Sequence, residues 1–389
     1  MKFLRDTLDK LRPNFQKGGK LSFLHSTFDA METFLFVPGH TTTGKVHIRD
    51  GVDLKRTMIT VVVAMLPVLL FGIWNVGYQH YLSIGQASSM MENVMFGLIQ
   101  VLPIIVVSYG VGLGIEFAFC QVKGHPVNEG FLVTGMLIPL VLPPTIPLWM
   151  VAVATAFAVI IGKEVFGGTG MNLLNPALTA RVFLFFAYPA YMSGEFLANG
   201  DAVWFEGTRQ LLADGYSGAT SLSIMKEGGS LDKIPSVMDM FLGFEKGSIG
   251  ETSVLACLIG AAILIISGVG SWKIMASVAA GGLLMGGVFN LIGGSTFMEM
   301  PAYYHLLMGG FAFGAVFMAT DPVSAAQTER GKIIYGLMIG VLAVLIRVAN
   351  PAYPEGMMMA ILFMNVFAPL VDYFVVEANK KRRFKRATV

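Results

Sequence analysis

The sequence predicts an all-α polytopic membrane protein with about ten transmembrane helices, some of them broken. Three observations predict it. Of 389 residues, 54% are hydrophobic and only 13% are charged, too few charges to cover a soluble surface of that size. Apolar runs of about 20 residues recur along the chain, each long enough to cross a hydrocarbon core of about 30 Å. Lysine and arginine segregate onto alternate connections, as the positive-inside rule demands.

Taken in order, residues 1–54 form a basic arm of mixed charge. Phe15, Leu21, Phe23, Leu24, Phe28, Phe34 and Phe36 are scattered through it, a pattern suited to lying on a membrane surface. Its start lacks the apolar core of a cleavable signal. A first half, 55–193, holds candidate spans at 56–77, 95–119, 130–143, 147–162 and 176–193. A polar segment, 194–252, separates it from a second half, 253–378, with spans at 253–269, 274–293, 302–319, 333–348 and 357–377. Residues 379–389 are a basic tail. With the amino end inside, 21 lysines and arginines fall on inner segments and five on outer ones, with Arg181 left within a span. Both termini are therefore expected in the cytoplasm, and 194–252 in the periplasm.

Five spans on each side of a loop suggest a duplication. At an offset of 175 residues Pro126 meets Pro301, Gly135 meets Gly310, Thr145 meets Thr320 and Pro147 meets Pro322, while Asn175-Pro176-Ala177 meets Asn350-Pro351-Ala352. Chance is the competing explanation in a chain with 45 glycines and 17 prolines. Five-span repeats lie in opposite orientations, and such folds place their site between the halves near the midplane. The third span is short and ends at Pro143-Pro144; broken segments survive in a bilayer only when packed in protein or lining a cavity.

Several chemistries are disfavoured. The two cysteines, Cys120 and Cys257, are too few for an Fe–S cluster held by this chain alone and read as small buried hydrophobes. Six histidines form no HxxxH or HExxH pair. Gly110-Val111-Gly112-Leu113-Gly114 lies inside an apolar run, where it serves helix packing rather than nucleotide binding. No catalytic side chain stands out.

Acids inside spans are functional candidates because burying them costs several kcal/mol. Glu116, Asp321 and Asp372 are of this kind, and their hard oxygens suit a small cation or a proton. Asp321 followed by Pro322 equally reads as a helix cap and first turn. Asn172 and Asn175 close the glycine-rich connection Gly167-Gly168-Thr169-Gly170; they either cap a helix or hydrogen-bond a flat heterocycle.

The polar segment contains Asp214-Gly215-Tyr216-Ser217-Gly218-Ala219-Thr220, small and without hydrophobic period, ending on a hydroxyl. With Gly162-Lys163-Glu164-Val165-Phe166-Gly167-Gly168-Thr169-Gly170-Met171-Asn172-Leu173-Leu174-Asn175-Pro176-Ala177 and Val127-Asn128-Glu129-Gly130-Phe131, it resembles the B subunits of sodium-translocating NADH:quinone oxidoreductases and the related Rnf D subunits. The resemblance covers nearly the whole chain. It implies two inverted five-helix halves like those of urea and ammonium transporters, in a bacterial inner membrane. It further implies FMN joined to Thr220 by a phosphoester, with Asp214, Gly215 and Ser217 read by the flavin transferase, and riboflavin near Asn172 and Asn175. Ubiquinone would bind around Gly112, Gly114 and Glu116, and sodium at Glu116, Asp321 and Asp372. The expected partners are an NADH-oxidising flavin and Fe–S subunit, a second FMN-threonine subunit and small membrane subunits; no nucleic acid is expected. Leu113 departs from the glycine of some members, which affects the shape of the quinone pocket. Two other functions compete: an Rnf-type subunit working between ferredoxin and NAD, and a passive channel for a small solute.

Overall fold

The computed structural model describes residues 2–16, 54–123, 130–213, 216–350 and 355–387, with positions 19, 21–25, 27, 28, 32, 35, 36, 44 and 127 besides. Among the described residues the chain is helical, and its only strand-like pairings are two isolated bridges, Phe196 with Ala202 and Asp201 with Thr208.

Helix α1 (Lys2–Phe15) opens the basic arm. It folds onto the arm's own later residues: Phe15 stacks on Phe28 at 4.5 Å and Arg5 lies over the Phe36 ring at 5.1 Å. Next come α2 (Leu54–Ser83), α3 (Met90–Lys123), α4 (Phe131–Leu140), α5 (Leu148–Ile160) and α6 (Pro176–Ala187). The polar segment contributes two short helices, α7 (Ser221–Lys226) and α8 (Val237–Leu242). After it run α9 (Val254–Ile266) and α10 (Trp272–Ile292), a broken stretch, α11 (Glu329–Ala349) and α12 (Met357–Ala387).

Six of the described helices are long and apolar enough to cross a membrane: α2, α3, α5 with its extension to Phe166, α10, α11 and α12. The remaining four predicted spans are not full-length helices. Helices α4, α6 and α9 have 10, 12 and 13 residues, which at 1.5 Å per residue reach only about 15–20 Å. The stretch predicted at 302–319 is broken into Tyr304–Leu307, Phe311–Phe313 and a π-helical turn, Gly314–Met318. Apolar composition cannot reveal these breaks, because a half-helix buried in protein is as hydrophobic as a full span. The basic tail is also not separate from the last span: α12 continues to Ala387, where lysines and arginines favour the negative end of the helix dipole.

Each break leaves backbone carbonyls without helical partners, and distant residues supply donors. Past α4, Gly250 N–H donates to Leu140 O at 2.7 Å and Ile249 N–H to Leu142 O at 3.1 Å. Past Tyr304–Leu307, the Arg347 guanidinium donates to His305 O at 2.8 Å and Met308 O at 3.2 Å. These contacts make broken helices tolerable in a low-dielectric interior.

Helices α10 and α11 pack closely through glycines. A Cβ on Gly340 would collide with Val278 O and lie 2.6 Å from Gly282 N, and one on Gly281 would collide with Leu337 O. Helix α9 returns to α2, where Gly260 lets Ala64 O and the Phe317 ring come close. Large apolar side chains such as Leu70, Ile99 and Leu291 are exposed on the outer faces, as a lipid-facing surface requires. Gly340→Leu should therefore lower the thermal midpoint of purified protein by more than the same change at Gly287, whose Cβ position is open; overpacking of this kind costs about 1–3 kcal/mol.

Candidate functional site

The stretch ending at Thr220 is held in place by side chains from elsewhere in the chain. Tyr216 Oη donates to Gln79 Oε1 at 3.0 Å, and its ring meets Phe205 edge-on at 5.2 Å. Gly218 N–H donates to Glu195 Oε1 at 2.8 Å, and a Cβ there would meet Glu195 and the Phe196 ring at 2.8 Å, so a larger residue would have to displace both side chains. Lys246 donates to Ser217 O and lies 4.3 Å from the centre of the Tyr216 ring. Burial draws its pKa down to about 8 against the opposing Glu195 charge. Ser217 is exposed and Thr220 half-buried. Thr220 Oγ1 accepts from Ser223 N–H at 3.3 Å, so this threonine is the N-cap of α7. Asp214 and Gly215 lie outside the described residues.

Thr220 borders a cavity of about 610 Å³ whose walls include Arg181, Ser221, Glu245, Lys246, Glu251 and Glu355. The walls include parts of α6, α7, the end of the polar segment and the α11–α12 connection. Arg181, 4% exposed, donates to Glu355 Oε2 at 2.6 Å and to Glu251 Oε2 at 3.4 Å. Glu251 Oε1 also accepts from Ser248 N–H at 2.9 Å. Burial raises the pKa of Glu355, and Arg181 opposes the rise. The Glu245 carboxyl accepts from Ser221 Oγ at 2.8 Å, its single side-chain hydrogen bond among the described residues. Burial pushes its pKa up to about 8; the Ser221 hydrogen bond opposes this, the Glu251 charge adds to it and Arg347 works against it.

A second cleft, of about 790 Å³, is lined by Thr134, Lys163, Asn172, Asn175, Thr320 and Asp321 among others. The structure thus brings together three residues singled out in the sequence, Asn172, Asn175 and Asp321, from segments about 150 residues apart. Asn175 caps α6, its side-chain oxygen accepting from Ala177 N–H at 3.0 Å and Leu178 N–H at 3.3 Å. Asn172 Nδ2 donates to Leu174 O at 2.9 Å. The cap reading holds for Asn175, whose NH2 is then the group it could offer a ligand. Asp321 caps no helix and instead closes a turn: Ser324 Oγ donates to Oδ2 at 2.7 Å and Val323 N–H to Oδ1 at 3.2 Å.

Glu116 is buried at 2% exposure and ion-paired to Lys163, which lines the cleft. Lys123 pairs with Glu164 alongside at 3.3 Å. Gly112 lies one turn before Glu116 on the buried face of α3, where a Cβ would collide with the Phe131 ring. Gly114 is exposed and faces open space, away from Gly112 and Glu116. Asp372 stands apart from the cleft. It accepts from Gln327 N–H at 2.6 Å, Thr328 N–H at 3.0 Å and Thr328 Oγ1 at 2.5 Å, capping α11 from α12. Among the described residues, no group of three or more His, Cys, Asp or Glu side chains could hold a metal ion.

Sequence reasoning missed Lys163, Glu245, Glu251, Glu355 and Arg347 as site residues. The one signal was Arg181 within an apolar span, which required a buried carboxylate partner without saying which.

Arg181→Gln should destabilise the protein by about 3–5 kcal/mol, because two buried carboxylates lose their cation, and Glu251→Gln with Glu355→Gln should recover part of it in thermal melts. For Glu245, between its ordinary 4.5 and about 8 the unfolded chain has released the proton that the folded chain keeps. Its contribution to stability is greatest below that window and is lost as pH rises through it, so Glu245→Gln should melt with a shallower pH dependence there.

The sequence profile of the NQR2, RnfD, RnfE family matches residues 41–381. Proteins named as the B subunit of Na(+)-translocating NADH-quinone reductase resemble the chain over nearly its full length. That of Stutzerimonas stutzeri is 49% identical over 411 residues, covering 98% of this chain and 99% of its own. That of Chromohalobacter salexigens is 48% identical over 408 residues, covering 98% and 96%. That of Azotobacter vinelandii is 48% identical over 411 residues, covering 98% and 99%. Matched along its whole membrane portion and across the polar segment that carries Thr220, the chain belongs to the NQR2, RnfD, RnfE family.

Proposed function

We propose that this chain is the membrane-embedded B subunit of a sodium-translocating NADH:quinone oxidoreductase, passing electrons to ubiquinone and linking that transfer to sodium movement out of the cytoplasm. The observation that carries the reading is the 49% identity, end to end, with a relative of that name. NADH would be oxidised by a flavin and Fe–S partner subunit, since the described residues of this chain offer no dinucleotide fold. A second FMN-threonine subunit and small membrane subunits would complete the complex in a bacterial inner membrane. Ten membrane segments in two inverted halves, with both termini cytoplasmic, agree with the order of five apolar helical segments on each side of the polar segment and with the lysine and arginine distribution.

Within this reading Thr220 carries FMN through a phosphoester, and the residues present suit it. Its hydroxyl sits half-buried at the lip of a cavity lined by polar and charged side chains. Lys246 and Glu195 hold the acceptor segment, while Asp214, Gly215 and Ser217 would be read by the attaching enzyme. Riboflavin would lie in the second cleft, against Asn172 and the Asn175 amide. Quinone would approach the face of α3 carrying Gly112 and Glu116, with exposed Gly114 at the margin. Flavins supply one-electron carriage; the chain supplies position and charge compensation. Sodium would be drawn to Glu116, Asp321 and Asp372 as negative charge enters the low-dielectric interior. At Glu116 it would compete with Lys163 for the carboxylate.

The mass of the peptide spanning residues 210–226 tests the anchor. An FMN adduct is expected in the native chain and none in Thr220→Leu; an unmodified native peptide from the assembled complex would refute the reading. Asp372→Ala should weaken the sodium activation of quinone reduction, and activation equal to that of the unaltered enzyme removes Asp372 from the ion path.

A further inference from the structure

Glu245 is a buried acid that the scheme above leaves without a task. Its side chain, in a residue 4% exposed, faces the cavity that Thr220 borders, and the Ser221 hydroxyl that donates to it belongs to the residue next to Thr220. The charged groups around it are Glu251 and Arg347 nearby, with Arg181, Lys226, Lys246 and Glu355 on the cavity walls. The buried cations make other contacts. Arg181 holds Glu251 and Glu355, Arg347 holds backbone carbonyls of the broken helix, and Lys246 holds the segment leading to Thr220. Glu245 has no ion pair among the described residues, and no metal-holding group of acids exists among them to supply a counter-charge. A carboxylate buried under those conditions is far costlier than the acid, so a proton is the counter-charge that remains.

We propose that Glu245 is the proton-holding residue of this cavity, giving its proton to the redox group tethered at Thr220 on reduction and taking it back on reoxidation. The proposal rests on the reading of Thr220 as a flavin carrier. Reduction brings one electron from the NADH-fed partner subunits and one proton from the Glu245 carboxyl. Reoxidation passes the electron to the next carrier toward quinone and returns the proton to the carboxylate. Neither group is consumed, and the cavity's net charge rises by one negative unit and falls again with each electron. The acid moves that charge from the flavin onto a carboxylate that the Arg347 charge favours. Exposed Lys226 at the cavity wall marks the side open to water, from which a lost proton is replaced.

The test uses the purified complex with Glu245→Gln, an isosteric change that keeps an acceptor for Ser221. Peptide mass first establishes the FMN adduct at Thr220 in both proteins. Redox-difference infrared spectra poised at the potential of that flavin should then show a protonated-carboxyl band, shifted in heavy water, that is absent from the variant. The midpoint potential of the tethered flavin should be nearly independent of pH in the native complex, where the proton comes from within the cavity, and should fall with rising pH in the variant, where the proton must come from water. An identical carboxyl band and an identical pH slope in Glu245→Gln overturn the proton role while leaving the flavin anchor standing. A native complex without the adduct overturns the anchor, and the proton role with it.

Discussion

The architecture depends on one buried cation between two buried acids. Arg181, on the short helix α6, spans from Glu251 at the end of the polar segment to Glu355 in the connection before α12. A guanidinium inside an apolar span costs several kcal/mol unless its charge is matched and its donors are used. Two carboxylates from outside the span meet that need, and in doing so they tie the polar segment and the last helical connection to α6. The cavity beneath Thr220 is the space this arrangement leaves.

The broken helices are held by the same economy of buried polar groups. A half-helix inside a membrane protein exposes carbonyls that neither lipid nor its own backbone can satisfy. After α4 the donors are the backbone N–H groups of Ile249 and Gly250; after the short Tyr304–Leu307 helix they come from Arg347. Both sets of donors lie near the Arg181 network in sequence, the first beside Glu251 and the second ahead of Glu355. Breaks, buried ion pairs and cavity are therefore one construction. Tight packing of α10 on α11 through Gly281 and Gly340 provides the rigid part on which it rests.

Of the acids singled out in the sequence, Asp321 accepts hydrogen bonds within a turn, Asp372 accepts them at the start of α11, and Glu116 is paired with Lys163. Each is thus already held by chain donors. A cation arriving at any of them would exchange partners rather than fill a vacancy, and such exchange is a physical route by which ion binding and helix position become linked.

Membrane class, the basic ends, the polar segment and the small stretch ending at Thr220 were determined by the sequence alone, because hydropathy, charge asymmetry and a local motif are properties of neighbouring residues. The meeting of Asn172 and Asn175 with Asp321 was foreshadowed only by the repeat, which pointed to a site between halves. What the tertiary structure decided was which apolar runs are broken, that Gly112 and Gly114 face different ways, and which acids neutralise Arg181. Those outcomes turn on partners many residues away: the same apolar composition serves a full span and a half-helix, and a buried charge shows that it must have a partner without showing which one.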